Sequence, residues 1–188
     1  MNIYQQLEKK VIDNFIKLGI DNTKKILVAL SGGPDSVFLT IILSKYFHKS
    51  NIFCYHINHK IRPAEETKAD ENFIIKFCED NEMDLIVSEV DIPTIAKEEK
   101  KSIETVAREI RYSLFFNFMQ KESIDQLATA HTADDQIETF FQRLFRGAGF
   151  QGFSCIPEQR NIDLDEYTST LFRPLLNIRK FEILEYLN

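Results

Sequence analysis

The segment Val28-Ala29-Leu30-Ser31-Gly32-Gly33-Pro34-Asp35-Ser36 constrains this chain more than any other. Lys25 to Leu30 is a nearly continuous apolar run, the mark of a strand buried on both faces. A helix follows at once, because Pro34 suits a first helical turn and Val37 to Tyr46 continues apolar. The turn between them is suited to phosphate. Gly32 and Gly33 place no Cβ in the way of an anion, Ser31 and Ser36 add hydroxyls, and a helix starting near Pro34 offers unpaired N–H groups and its positive dipole end. Asp35 then needs a reason, since a carboxylate repels bare phosphate. A magnesium ion bridging Asp35 to phosphate oxygens supplies one. A plain Gly-Gly turn explains Gly32-Gly33-Pro34 but not the whole string. The string is neither Gly-x-x-x-x-Gly-Lys-Ser/Thr nor Gly-x-Gly-x-x-Gly, so the commoner kinase and dehydrogenase loops are set aside.

The rest of the chain alternates strand and helix. Leu7, Val11, Phe15 and Leu18 predict an opening helix over residues 3–18, stopped at Gly19. Further strands are expected at 52–57, 84–90, 125–130 and near 170–173. Helices are expected at 64–81, at 102–121 behind a Ser102 cap, at 132–145 and from 177 to the end. Residues 147–165 read as a long loop. This order predicts an α/β fold with a doubly wound, mostly parallel, Rossmann-like sheet in a single domain over residues 1–188. Ligands of such sheets bind at the carboxyl ends of the strands, where the strand order switches.

At 188 residues and 44% hydrophobic, with sixteen phenylalanines and no tryptophan, the chain can bury a sizeable core. Its net charge of −6 argues against charge-driven nucleic-acid binding over the whole surface, while leaving room for a local basic patch. Cys54, Cys78 and Cys155 are odd in number and far apart, which speaks against disulfides or a zinc or iron–sulfur site and for buried packing. No leader-like or membrane-length apolar stretch is present, so a cytoplasmic protein without membrane contact is expected.

Three more clusters fall at strand ends or on helices near the expected binding edge. His56, Asn58, His59 and Arg62 end the second strand and can read an adenine edge, a ribose or a phosphate; a solvated loop is the plainer alternative. Arg108 and Arg111 stand at i and i+3 of a helix, where two guanidinium groups suit phosphate, although Glu104 and Arg108 at i and i+4 equally suit a surface ion pair. His131 precedes Asp134, Asp135 and Glu138 on a helix expected to bury Ile137, Phe140, Phe141, Leu144 and Phe145. The two aspartates favour the dipole of the first turn in any case. The functional alternative is that the three carboxylates hold magnesium or an amine substrate.

The loop at 31–36 resembles the pyrophosphate loop of the N-type ATP pyrophosphatases, of adenine nucleotide alpha hydrolase type. That resemblance implies ATP cleavage between the α and β phosphates. His-Ile-Asn-His-Lys-Ile-Arg at 56–62, Glu-x-x-x-Arg-x-x-Arg-Tyr at 104–112 and His-x-x-Asp-Asp-Gln-x-Glu-Thr at 131–139 extend it. So do Arg-Leu-Phe-Arg-Gly-x-Gly at 143–149 and Arg-Pro-Leu-Leu at 173–176. Together they resemble the tRNA(Ile)-lysidine synthetase family. The resemblance implies ATP and Mg2+ as cofactors, and tRNA(Ile) with a CAU anticodon and free L-lysine as partners; it leaves a homodimer open. It implies a nucleotide site of Ser31, Gly32, Gly33, Pro34, Asp35, Ser36, His56, Asn58, His59 and Arg62. Asp35 and Asp135 would hold the metal, with Asp134, Asp135 and Glu138 jointly handling metal and lysine. His131 would lie near the adenylate, and Arg108 and Arg111 on RNA or the α-phosphate, with Arg143, Arg146 and Arg173 toward tRNA. Members of that family usually continue into helical tRNA-binding domains, so a truncated catalytic domain that binds magnesium-ATP with weak or no tRNA-specific activity is expected. Within the superfamily a 2-thiocytidine synthetase is the alternative, though its iron–sulfur cysteines have no counterpart here; a non-catalytic ATP-binding module is another.

Overall fold

Strands that are apolar on both faces must be covered on both faces, and the helices of this chain are divided accordingly. A computed structural model describes residues 2–145, 147, 155–164 and 167–188. Helix α1 spans Ile3–Lys17, β1 Ile26–Ala29, α2 Pro34–Tyr46, β2 Ile52–Asn58, α3 Ala64–Asp80 and β3 Asp84–Glu89. There follow α4 Ile92–Glu99, α5 Ile103–Glu122, β4 Gln126–Ala128, α6 Ala133–Phe145, β5 Gln159–Leu164, β6 Tyr167–Phe172 and α7 Lys180–Leu187. The strands form one sheet in the order β3-β2-β1-β4-β6-β5. All neighbours are parallel except β5 and β6.

Alternation along each strand distributes the core. Ile26, Val28, Cys54, Ala128 and Phe172 pack with α1, α2, α3 and α7 through Val11, Phe15, Phe38, Ile74 and Ile183. Leu27, Tyr55, Leu127 and Leu171 meet Phe115, Phe116 and Met119 of α5 on the opposite face. A side chain of this size contributes roughly 1.5–3 kcal/mol when fully buried, so the sheet is held from two sides. Cys54 and Cys78 lie in the first of these layers, as expected of packing cysteines. No helix among the described residues is long and apolar enough to cross a membrane.

The doubly wound, mostly parallel sheet is as expected, and four details differ. Residues 159–164 form a strand where a loop was expected; β5 is the outer, antiparallel edge and, with water on its open side, carries no continuous apolar run to announce it. Residues 148–154 and 165 of that expected loop lie outside the described residues, as does Arg146. Helix α4 was not anticipated: it is only two turns long, is capped by Asp91 through the Thr94 amide, and packs Ile92 and Ala96 against Val106 and Ala107 of α5. The final helix begins at Lys180, because residues 174–177 form a turn after Arg173. Last, α6 does not bury its apolar stripe. Ile137, Phe140, Phe141, Leu144 and Phe145 are exposed, Phe145 by 83%. Among the described residues, its hydrogen bonds to the rest of the fold lie near its first turn, where the Ala133 amide donates to the Ile178 carbonyl and the Gln136 side chain bonds the Ile156 backbone.

The chain runs from β1 outward to β2 and β3 in one direction, and later from β4 to β6 in the other. The switch in strand order therefore falls between β1 and β4, and the loops after these two strands face each other across it.

Candidate active site

The loop after β1 is shaped by its own side chains. Ser36 Oγ donates to the Gly33 carbonyl at 2.9 Å and lies 3.0 Å from Ser31 Oγ, while the Ser31 amide donates to Ser36 Oγ at 3.2 Å. Gly32 has φ +86°, and a Cβ there would stand 3.0 Å from Ile74 Cδ1 on α3. That position needs glycine for both reasons. Gly33 leads into Pro34, the first residue of α2, so the free amides of the helix start open onto the loop.

A cleft of about 590 Å³ lies over this edge of the sheet. Ser31, Gly33, Asp35 and Ser36 line it from the loop; His56, Asn58, His59 and Arg62 line it from the end of β2; Arg111, His131 and Asp135 close it. Four separate sequence clusters thus meet in one cavity. Arg108, Asp134 and Glu138 are not among its lining residues.

Asp35 and Asp135 are linked by a residue the sequence reading did not single out. Lys180 Nζ lies 3.1 Å from Asp135 Oδ1 and 3.9 Å from Asp35 Oδ2. Asp135 Oδ2 accepts from the Thr132 amide at 2.7 Å and from its hydroxyl at 2.9 Å. Burial works to raise the Asp135 carboxyl, but the Thr132 and Lys180 hydrogen bonds outweigh it and hold the group below the usual carboxylate range. Asp35 goes the other way. Burial raises it, and the neighbouring Asp135 and Asp134 add to that against the opposing pull of Lys180. Its Oδ1 is buried without a hydrogen-bond partner. Asp134 turns instead to α7, accepting from the Lys180 amide at 2.8 Å with Arg179 Nε at 3.5 Å. Glu138 accepts from Gln142 on the exposed side of α6.

The signal for Lys180 is present in the sequence in hindsight. Arg179 and Lys180 place two cations at the start of α7, where the helix dipole disfavours positive charge. Asp134, Asp135 and Asp35 offset that cost.

His131 and His59 are neutral near pH 7. Burial, with Arg173 beside it, lowers His131 to about 4, and burial with Arg111 lowers His59 to about 4. His56 Nδ1 lies 2.9 Å from the Leu30 carbonyl, which accepts its proton and fixes the ring at the end of β1. Asn58 is occupied in shaping its loop: it donates to Glu71 and accepts from the Lys60 amide. Arg62 pairs with Asp70. Arg108 forms no ion pair with Glu104 among the described residues; its guanidinium lies 5.3 Å from the centre of the Tyr112 ring.

Comparison with known proteins agrees with this geometry. The chain is 40% identical over 184 residues to the tRNA(Ile)-lysidine synthase of Clostridium perfringens, a match covering 96% of this chain and 37% of that protein. It is 39% identical over 169 residues to the bifunctional protein TilS/HprT of Listeria monocytogenes, covering 89% of this chain and 25% of that one. The chain therefore spans little more than a third of the length of the first of these relatives and a quarter of the second. Among solved structures, the U34-tRNA thiolase NcsA of Methanococcus maripaludis, which carries a [4Fe-4S] cluster, superposes with TM-score 0.76 at 20% identity over 98% of this chain and 63% of that one. The NH3-dependent NAD synthetase of Campylobacter jejuni does so at 0.60 and 18% identity, over 99% of this chain and 72% of that one. These two establish shared architecture. With residues 3–188 matching the PP-loop domain and the loop itself standing at the switch point of the sheet, the chain belongs to the PP-loop family.

Proposed function

We propose that this chain is the ATP-using catalytic domain of a cytoplasmic tRNA(Ile)-lysidine synthase. The observation that carries this reading is that the phosphate loop and Asp135 open onto one cleft, in a chain similar to lysidine synthases along nearly its whole length.

In this reading the Ser31–Ser36 loop binds the ATP phosphates through backbone amides, and the end of β2 faces the adenosine. Asp35 and Asp135 suit Mg2+: both are oxygen donors, and the buried Oδ1 of Asp35 lacks any partner. Bound there, the ion would neutralise phosphate charge beside the loop. O2 of the wobble cytidine attacks the α-phosphorus, forming an O–P bond as pyrophosphate leaves. The ε-amine of lysine then attacks C2, and AMP departs with the oxygen. Adenylation is needed because the cytosine oxygen is otherwise a poor leaving group. Lysine binds as an ammonium but attacks as an amine, so a carboxylate of the α6 set, Asp135 or Glu138, holds it and takes its proton. His131, neutral near pH 7, borders the adenylate without adding charge. Arg111 faces the cleft and serves the α-phosphate or RNA.

ATP–pyrophosphate exchange by the natural full-length chain with unmodified tRNA bearing a CAU anticodon tests this. Exchange that requires the tRNA but not lysine is expected. Exchange indifferent to RNA overturns the reading in favour of a small-molecule ligase.

A further inference from the structure

Around Tyr112 the chain gathers positive charge without a paired carboxylate among the described residues. Tyr112 lines the cleft wall. The Arg108 guanidinium lies 5.3 Å from its ring centre and that of Arg160, on β5, lies 5.8 Å away. Arg173, only 4% exposed, interacts with the Tyr112 hydroxyl and donates Nη1 to the Pro157 carbonyl at 2.8 Å, while its Nε has no partner. Arg111, next to Arg108, faces the cleft itself. No carboxylate among the described residues pairs with any of these four arginines, whereas Arg62 and Arg179 are each paired. In a protein of net charge −6 this is a local reversal. Like charges held this close repel, and a folded chain keeps them together at less cost when an anion sits among them.

We propose that the exposed Arg108 and Arg160, arrayed about Tyr112 with the buried Arg173 adding its charge, form a seat for a backbone phosphate of the RNA substrate, at the rim of the cleft that its base enters. The inference rests on the RNA-modifying reading above and deepens it. A base presented to the α-phosphate of ATP lies inside the cleft, and the phosphodiester attached to its ribose must then remain outside, toward the rim. Tyr112 is the wall between these two places. Its ring also orients the guanidinium groups by cation–π contact, leaving their N–H edges to the anion. The shared chemistry is a phosphate oxygen anion, and the other source of one is ATP. Arg160 separates the two sources, because it lies on the edge strand and does not line the cleft.

The test is to measure, in the natural full-length chain, binding of unmodified tRNA with a CAU anticodon across a series of salt concentrations, and binding of ATP, for the wild type, Arg160→Ala and Arg160→Lys. Arg160 is exposed, so its replacement leaves the core intact, and circular dichroism checks the fold. Arg160→Ala is expected to bind the tRNA roughly 3- to 10-fold more weakly, with the log–log salt slope reduced by about 0.7–0.9 and ATP affinity unchanged. Arg160→Lys should recover most of the slope. If the wild type binds tRNA and Arg160→Ala matches it in affinity and slope, the phosphate seat is wrong and the lysidine synthase reading stands. Loss of ATP affinity in Arg160→Ala also overturns the seat and assigns the cluster to the nucleotide. A wild type that binds no tRNA overturns both.

Discussion

Lys180 Nζ stands 3.1 Å from Asp135 Oδ1, and through this contact the start of α7 is tied to the start of α6 at the phosphate loop. The same ammonium lies 3.9 Å from Asp35 Oδ2. It holds apart two carboxylates that would otherwise repel. Hydrogen bonding to Asp135 raises the Lys180 ammonium above its ordinary range, so it stays charged near pH 7. Replacing it with methionine leaves the carboxylates facing each other with only Thr132 to help Asp135. Lys180→Met should lower stability by about 1 kcal/mol without divalent cations, the contact being partly open to water. Millimolar Mg2+ should then raise the melting temperature of the variant more than that of the wild type. Equal shifts in both proteins would separate Lys180 from the carboxylates proposed to hold the metal.

Gly32 and Gly33 are adjacent but should respond differently to alanine. At Gly32 the backbone is left-handed, and a Cβ would press on Ile74 at 3.0 Å. Gly32→Ala is expected to cost about 1–2 kcal/mol from the backbone alone and to weaken ATP binding. At Gly33 a Cβ would meet nothing closer than Ser31 Oγ at 3.5 Å. Gly33→Ala should therefore fold with near-normal stability and lose ATP affinity only through crowding of the phosphate. Thermal melts with and without ATP separate the two.

The loop and the sheet were legible because each depends on local chemistry. An apolar run, two glycines and Pro34 determine a strand, a turn and a helix start within ten residues. Ser102 was likewise readable as a cap, and it accepts the Thr105 amide. What escaped depends on distance. Lys180 belongs to the site only because residues 174–177 turn α7 back toward α6, a long-range contact no window of sequence reveals. Strand β5 is polar because it is an edge, and α4 is too short for a period to show. The stripe on α6 has the right period for burial, but period specifies a face and not what covers it. Asp134 and Glu138, grouped with Asp135 by spacing, take different neighbours once the helix is placed.

Burial and Arg173 lower His131 to about 4 from an ordinary 6.5. Between these values the unfolded chain binds a proton that the folded chain resists. Stability from this residue is therefore complete above pH 6.5 and falls as the pH drops toward 4. The loss attributable to His131 should be about 2 kcal/mol, less than a fully enclosed imidazole would show. His131→Gln should flatten the decline in melting temperature over this window. Asp35, whose carboxyl is raised by burial, acts in the opposite sense, so the comparison is variant against wild type at each pH. Parallel curves would place the acid sensitivity elsewhere, with His59 next to be tested.

Asp135 and Glu138 lie one turn apart on α6, yet only Asp135 lines the cleft. Asp135→Asn removes a charge held by Thr132 and Lys180 and shared with the phosphate loop. It should weaken magnesium-ATP binding and reduce turnover at least 100-fold, on the order of one well-placed electrostatic group. It should also cost about 1 kcal/mol of stability, because the same carboxylate caps α6. Glu138 accepts from Gln142 and does not line the cleft. Glu138→Gln should leave magnesium-ATP binding intact and raise KM for lysine, since one carboxylate fewer faces its ammonium. Steady-state kinetics with lysine varied at saturating ATP, alongside direct ATP titration, read both effects. An equal loss of ATP affinity in the two variants would return Glu138 to the metal-holding set and remove the division of labour argued from their positions.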